Sequence, residues 1–163
     1  MHEHDVIRPD GQPGFYGVIE TRIAVGVIAL TPQQEIYLIG QYRYPTEHYS
    51  WEIVEGGTEE NEDPLVTAKR ELREEAGLTA VSFTPLGEEV HLSNCISSER
   101  AVFFIAEGLT EVGAEPEATE VLEVRKVPLD DAFALVASGE IRDAMSIIAL
   151  YRLQALLQMK KQR

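Results

Sequence analysis

Residues 63–77, DPLVTAKRELREEAG, limit the possible folds of this chain more than any other segment. The pair Asp63-Pro64 is typical of a helix start, because an aspartate side chain accepts from free backbone N–H groups and proline is tolerated at the first helical position. Gly77 predicts the end of the helix, since glycine readily adopts the left-handed conformation there. At about 100° per residue, the apolar residues form one stripe that we expect to face the core: Leu65, Ala68, Leu72 and Ala76.

Three glutamates, Glu71, Glu74 and Glu75, lie within an arc of roughly 100° beside this stripe. Like charges at this spacing repel one another, so either solvent covers the face or a cation binds there. Glu71 and Glu75 are four residues apart and can share one hard cation, and carboxylate oxygens suit Mg²⁺ or Mn²⁺. Taken alone, these three residues favour the solvated acidic face.

The residues before the helix change this interpretation. Residues 56–78 read G-x₅-E-x₇-R-E-U-x-E-E-x-G-U, where U is apolar, and every position of the pattern is matched. Its seven fixed residues would occur by chance in a chain of this composition with a probability on the order of 10⁻⁵. The segment resembles the signature of the Nudix hydrolases, which hydrolyse a diphosphate linked to another group.

This resemblance implies roles for fixed residues of the pattern. Glu71 and Glu75 would be the principal ligands of a divalent metal, Mg²⁺ or Mn²⁺, with Glu74 beside them. The backbone carbonyl of Glu55 would be a further ligand. Arg70 and Glu62 would pair and orient the helix glutamates. Gly56 would support the ligands with them.

Segments outside this pattern resemble the branch of ADP-ribose pyrophosphatases and nucleoside diphosphate sugar hydrolases. These segments are IGQYRYP, SWEIVEGG, SSER and SIIALYRL. The resemblance implies that Arg43 contacts substrate phosphate and that Glu52 and Glu99 lie near the substrate; surface ion pairs are the alternative for Arg43 and Glu99. Trp51 can stack on a base, or belong to the core or an interface.

The stretch HLSNCISSER departs from the ADP-ribose-specific members of this branch, which tend to have a proline where Asn94 stands. This departure favours other nucleoside diphosphate sugars. The sequence does not identify the base or the sugar.

The acidic segment TEVGAEPEATE, residues 110–120, is predicted to be a loop that moves over the substrate. Related sugar-nucleotide hydrolases take a glutamate from such a loop, so the resemblance implies that Glu120 acts as general base or as an extra metal ligand. Glu117 is the second candidate, and Glu74 follows if the loop supplies no base. The alternative is a solvated acidic loop.

The order of strands and helices predicts an α/β fold, specifically a Nudix-type α/β/α sandwich with a mixed β-sheet. We expect strands at 22–30 and 35–44 to form a hairpin around TPQQ, one strand at 50–57, and helices at 128–138 and 142–159. Residues 1–20 are expected to form a short N-terminal strand arm that dimerises. Residues 21–163 would form the Nudix hydrolase domain.

The formal net charge of −14 argues against nucleic acid and anionic membranes as partners. The single cysteine, Cys95, and the absence of an apolar leader predict a cytoplasmic protein. The favoured function is Mg²⁺-dependent hydrolysis of a nucleoside diphosphate sugar by a homodimer. Hydrolysis of dinucleoside polyphosphates or damaged nucleotides is one alternative, and a Nudix-fold ligand sensor without catalysis is another.

Overall fold

The structure is a computed structural model that describes residues 1–114 and 121–162. Within these ranges the chain forms twelve β-strands and three α-helices. The strands are β1 His2–Ile7, β2 Pro13–Val18, β3 Ile23–Ala29, β4 Glu35–Arg43, β5 His48–Glu52, β6 Val54–Gly57, β7 Leu78–Thr79, β8 Ser82–Pro85, β9 Val90–His91, β10 Arg100–Glu107, β11 Thr110–Glu111 and β12 Glu123–Pro128. The helices are α1 Pro64–Ala76, α2 Leu129–Ser138 and α3 Ala144–Lys161.

Helix α1 begins and ends at the predicted residues. The Asp63 carboxylate accepts the backbone N–H of Leu65 at 2.8 Å, which satisfies one of the free donors of the first turn. Gly77 has φ 66°, and its N–H donates to the carbonyl of Arg73. Since both signals act within one turn of chain, the local sequence was sufficient to fix the bounds of this helix.

Strands β3, β6, β8 and β10 form the central sheet in the order β6-β3-β10-β8, and β9 also pairs with β10. β3 and β10 run parallel, whereas the other pairs in this sheet are antiparallel. A second, antiparallel sheet has the order β12-β4-β5. The predicted mixed sheet is therefore confirmed.

The central sheet lies between α1 on one face and α2 with α3 on the other. Side chains of β3 alternate between the faces: Val25 and Val27 pack with Leu72 of α1, whereas Ile28 packs with Leu150 of α3. Each of these side chains is fully buried, and burying one stabilises the fold by about 1.5–3 kcal/mol. This layering confirms the predicted α/β/α sandwich.

Two predictions about strand pairing were wrong. β3 and β4 do not form a hairpin: they belong to different sheets and share only one isolated bridge, between Leu30 and Ile36. Residues 50–57 are not one strand, because the chain leaves β5 at Glu52 and enters β6 at Val54 in the other sheet. Both errors concern partners distant in sequence, which strand propensity does not reveal.

Strands β1 and β2 form an antiparallel hairpin whose register runs from His2 opposite Val18 to Ile7 opposite Pro13. This hairpin is the predicted N-terminal strand arm. It exposes apolar side chains, including Ile7 and Phe15. The division at residue 20 into an arm and a Nudix domain stays a prediction. No helix within the described ranges has the length and apolar character needed to cross a membrane.

Candidate active site

Two glutamates of α1 face strand β6. Glu75 is buried, and its Oε2 accepts the backbone N–H of Glu55 at 3.0 Å. Glu71 lies one turn earlier, against the backbone of Gly56. The packing of α1 on β6 therefore brings three of the four predicted ligand residues, Glu55, Glu71 and Glu75, next to one another.

The guanidinium of Arg70 lies at the centre of this cluster. Its Nη1 donates to Glu71 at 2.6 Å and to Glu74 at 3.0 Å. Its Nη2 donates to the carbonyl of Gly57 at 3.0 Å and to Glu62 at 3.3 Å. Burial alone would lower the pKa of Arg70, but the hydrogen bond to Glu62 and the charge of Glu71 raise it overall. Arg70 thus holds a full positive charge against the glutamates.

Glu62 pairs with Arg70 in the structure, as the resemblance implied. Its carboxylate also accepts the backbone N–H of Glu59 at 2.8 Å and the hydroxyl of Thr67 at 2.8 Å. The hydrogen bond from Arg70, followed by the bond from the Glu59 backbone, lowers the pKa of Glu62 to about 2. The loop before α1 is therefore tied to the middle of the helix by an ionised carboxylate.

A cavity of about 480 Å³ opens beside these residues. Its wall carries three arginines, Arg22, Arg43 and Arg70, and three of the predicted metal-ligand residues, Glu55, Glu71 and Glu74. Glu75 is buried behind this wall. The cavity therefore combines carboxylates for a cation with guanidinium groups for an anion, which is the pairing that a metal-bound diphosphate needs.

Arg43 reaches the cavity wall through a bidentate ion pair with Glu52. Its Nε donates to Oε1 at 3.0 Å, and its Nη2 donates to Oε2. Glu52 is 2% exposed, and it does not line the cavity. The hydrogen bond to Glu52 is the main cause of the raised pKa of Arg43. Glu52 thus fixes the direction in which Arg43 points.

Besides Glu52, two further predicted substrate residues lie outside this cavity. Trp51 alternates with Glu52 along β5 and so points to the opposite face of its sheet, where the guanidinium of Arg125 stacks over its ring at 5.6 Å. Glu99 lines a separate depression of about 360 Å³ together with Asn94. In this chain, neither residue is brought together with Glu71 and Arg43.

The three candidates for the general base are Glu120, Glu117 and Glu74. Glu117 and Glu120 lie outside the described residues. Glu74, the next candidate, lines the cavity with a side chain that is 31% exposed. Among Glu71, Glu74 and Glu75, the three glutamates of α1 at this site, Glu74 has the most exposed side chain.

Sequence reasoning missed Arg22 and Ser146. Arg22 begins the segment that becomes β3 and donates to Glu59 at 2.7 Å and to the carbonyl of Thr58 at 3.3 Å. Arg22 reaches the cavity because Ala24 of β3 lies opposite Gly57 of β6. No sequence signal reveals this register. Ser146 has a signal: it is a polar residue on the apolar stripe of α3, at i, i+3, i+4 with Ala149 and Leu150.

Ser146 joins α3 to the site through Glu55. Its hydroxyl accepts the N–H of Ile53 at 2.9 Å and donates to Oε1 of Glu55 at 2.8 Å. Burial raises the pKa of Glu55 well above its usual range, and the charge of the neighbouring Asp143 carboxyl adds to the shift. The side chain of Glu55 is therefore a hydrogen-bonded structural group, and its backbone carbonyl is the atom to consider as a ligand.

The donor chemistry of the site fits Mg²⁺ or Mn²⁺, since carboxylate and carbonyl oxygens are the ligands these ions prefer. Gly56 leaves space for the carboxylate of Glu71, a cradle that any Cβ atom would fill. Among the described residues, no three acidic, histidine or cysteine side chains already converge on one point. Arg70 explains this, because its guanidinium lies between Glu71 and Glu74 and holds both carboxylates.

Comparisons with known proteins show the family of this chain. A family model described as NUDIX domain matches residues 20–148. An ADP-ribose pyrophosphatase of Bacillus subtilis (strain 168) is 35% identical over 156 residues, which cover 94% of this chain and 84% of the relative. A GDP-mannose pyrophosphatase of Yersinia pestis (strain Pestoides F) is 34% identical over 129 residues, which cover 72% of this chain and 63% of the relative.

A solved structure supports the fold independently. The crystal structure of an ADP compounds hydrolase matches with a TM-score of 0.82 and 23% sequence identity, over 96% of this chain and 84% of that chain. At this level of identity the similarity shows the fold alone. It is the same α/β/α sandwich that the strand order and helix packing describe.

Proposed function

This chain belongs to the Nudix family, and from that membership we propose that it hydrolyses the diphosphate of a nucleoside diphosphate sugar to a nucleoside monophosphate and a sugar phosphate. Relatives named for ADP-ribose and for GDP-mannose support this class of substrate. The observation that carries the proposal is the complete set of helix glutamates of the sequence pattern, Glu71, Glu74 and Glu75, beside a cavity whose wall holds three arginines. Candidate substrates are ADP-ribose, ADP-glucose and GDP-mannose.

Glu71 and Glu75, with Glu74 and the carbonyl of Glu55, would hold Mg²⁺ or Mn²⁺. Such an ion supplies positive charge that neutralises the diphosphate and activates water for attack on phosphorus. Arg70 balances the negative charge of the helix, and its bonds to Glu62 and Gly57 keep it beside the glutamates. With Glu71 and Glu74 holding such an ion, Arg70 would still have Glu62 and the carbonyl of Gly57 as partners.

The arginines of the wall differ in how firmly they are held. Arg43 is fixed by the buried Glu52 and can present a preset donor to phosphate. Arg22 is 57% exposed and pairs with Glu59, which is 70% exposed. Exposed ion pairs contribute only about 0–1 kcal/mol, so Arg22 can exchange Glu59 for an anionic substrate at low cost. We therefore include Arg22 in the phosphate-binding group.

Water that attacks phosphorus must lose a proton, and a positioned carboxylate is the usual acceptor. The glutamates that hold metal lose basicity, so the loop residue Glu120 is the proposed base, with Glu117 second and Glu74 third. Glu120 is the loop glutamate nearest in sequence to β12, which begins at Glu123, and this strand would anchor it better than the others.

We also propose a cytoplasmic homodimer in which the N-terminal arm helps complete the partner's substrate site. The arm exposes Ile7 and Phe15, which are 73% and 71% exposed in the single chain, and an association between chains would cover such surface. Trp51 faces away from the cavity of its own chain, so it can belong to such an interface. Light scattering should report a dimer at working concentrations; a fully active monomer would exclude this arrangement.

A comparison of substrates tests the proposed function. We expect higher kcat/KM values for nucleotide sugars than for nucleoside triphosphates, dinucleoside polyphosphates or oxidised nucleotides. A higher kcat/KM for dinucleoside polyphosphates or oxidised nucleotides than for every nucleotide sugar tried would favour the alternative function, hydrolysis of such compounds. A higher kcat/KM for nucleoside triphosphates would also contradict the proposal. Binding of nucleotide sugars without turnover would indicate a ligand sensor, which the intact glutamates Glu71, Glu74 and Glu75 argue against.

A further inference from the structure

Ser146 lies in the first turn of α3 and is completely buried, and its hydroxyl bonds to Ile53, which joins β5 to β6, and to Glu55 of β6. It accepts the N–H of Ile53 at 2.9 Å and donates to Oε1 of Glu55 at 2.8 Å. The carboxylate of Asp143 caps α3 by accepting the N–H of Ser146 at 2.6 Å. The hydroxyl is therefore held in one place by the helix cap and by both of its own partners.

The contacts continue from Ser146 to helix α1. Glu55, whose side chain accepts from Ser146, donates its backbone N–H to Oε2 of Glu75 at 3.0 Å. The carbonyl of the same residue precedes Gly56, against which Glu71 packs. One residue of β6 thus connects α3 with the glutamates of α1.

We propose that Ser146 is a positioning residue for the metal-binding glutamates, acting through Glu55. By fixing both ends of the segment from Ile53 to Glu55, it sets the direction of the N–H that orients Glu75 and of the adjacent carbonyl. This inference rests on the proposed metal-dependent function. Residues that orient metal ligands typically change metal affinity or activity by 10- to 100-fold when they are replaced.

A completely buried hydroxyl needs an acceptor for its own proton as well as a donor for its oxygen, and Ser146 has both. Here that proton goes to Glu55, which lies on the cavity wall. The bond therefore joins the buried side of α3 to the wall of the candidate active site. Its loss should weaken metal binding and lower activity.

The test is Mn²⁺ binding without substrate, measured by electron paramagnetic resonance of the free ion, together with kcat and KM. Ser146→Ala should bind Mn²⁺ about 10- to 100-fold more weakly than the wild type and lose kcat in proportion, with KM changed less than kcat. Ser138→Ala is the matched control, because Ser138 is an exposed hydroxyl at the end of α2 that contacts no residue of the cavity. It should behave as the wild type.

Glu55 tests the same contact from its other end, which matters if Ser146→Ala does not fold. Glu55→Ala removes the acceptor but leaves the bond between Ser146 and Ile53 in place. It should weaken Mn²⁺ binding as Ser146→Ala does, and the double variant should be no weaker than either single one. Glu55→Gln keeps an oxygen for the serine hydroxyl and should recover most of the Mn²⁺ affinity that Glu55→Ala loses.

The inference is overturned if Ser146→Ala and Glu55→Ala bind Mn²⁺ and turn over substrate like the wild type. It is also overturned if Glu55→Gln binds as weakly as Glu55→Ala, because the hydrogen bond from Ser146 would then not account for the loss. A wild type that binds Mn²⁺ and hydrolyses nucleotide sugars would leave the proposed function intact in either case. A wild type that does neither would overturn the function itself.

Discussion

A Cβ atom placed on Gly56 would lie 1.9 Å from Oε1 of Glu71, closer than two non-bonded atoms can approach. The carboxylate of Glu71 packs directly against the glycine backbone of β6. Any other residue at position 56 must therefore displace Glu71 from the wall of the cavity. This contact gives the glycine of the sequence pattern a physical reason.

Gly56→Ala should reduce kcat/KM by about 100-fold, since displacing a catalytic group by roughly 1 Å can cost that much. Gly57→Ala is the control, because a Cβ atom there would have no neighbour within 4 Å. Steady-state kinetics with melting temperatures for both variants would check this. Equal activities for the two variants would show that the position of Glu71 does not matter.

Arg43→Ala should affect stability and substrate binding through different atoms. It leaves the carboxylate of Glu52 buried without its ion pair, so we expect a loss of about 1–3 kcal/mol in the free energy of unfolding. The lost phosphate contact should raise KM about tenfold. In the double variant Arg43→Met with Glu52→Gln, stability should recover while KM stays high. If KM recovers together with stability, Arg43 acts only through the fold.

Glu62 should make the free energy of unfolding fall at acidic pH. Its pKa in the folded state is about 2, below the ordinary 4.5, so its stabilising effect is fully present above about pH 4.5 and is lost as the pH falls towards 2. Glu62→Gln should therefore flatten the decline of unfolding free energy between pH 5 and about 2. Denaturant titrations across this range measure the effect.

Glu60→Gln is the control for this experiment, because Glu60 is an exposed carboxylate in the same loop. Its acid profile should match that of the wild type. If Glu62→Gln declines as steeply as the wild type, the pair with Arg70 does not persist in solution.

The helix that carries the site could be predicted residue by residue because its signals are local. Asp63 and Gly77 act on backbone groups within one turn, and the spacing of Glu71 and Glu75 follows from helical geometry alone. The pattern of residues 56–78 then indicated which of these side chains to examine. Nothing distant in sequence was needed for this part of the site.

The parts that could not be predicted depend on contacts across the chain. Arg22 reaches the cavity through the register of β3 with β6, and Ser146 meets Glu55 from 91 positions away. The break at Ile53 has the same origin, because its N–H leaves the strand ladder to donate to Ser146. A sequence pattern specifies which residues prefer a strand, and the partner is decided by the packing of the whole fold.

Glu120→Gln should lower kcat by at least about 100-fold with little change in KM, in line with the usual contribution of a general base. The pH profile of kcat should lose its acidic limb in the same variant. If Glu117→Gln shows this loss and Glu120→Gln does not, the two residues exchange roles. If all four loop glutamates can be replaced without effect, the base lies outside the loop, and Glu74→Gln should then show the loss; these glutamates are Glu111, Glu115, Glu117 and Glu120.

The most direct test of the account is a product analysis with wild type and Glu75→Gln side by side. Both proteins are incubated with ADP-ribose, ADP-glucose and GDP-mannose in Mg²⁺ or Mn²⁺, and products are separated by chromatography. The wild type should release nucleoside monophosphate and sugar phosphate, and a chelator should abolish this. Glu75→Gln should melt like the wild type and be slower by orders of magnitude. Equal turnover by the two proteins, or undiminished wild-type turnover in excess chelator, would contradict the account.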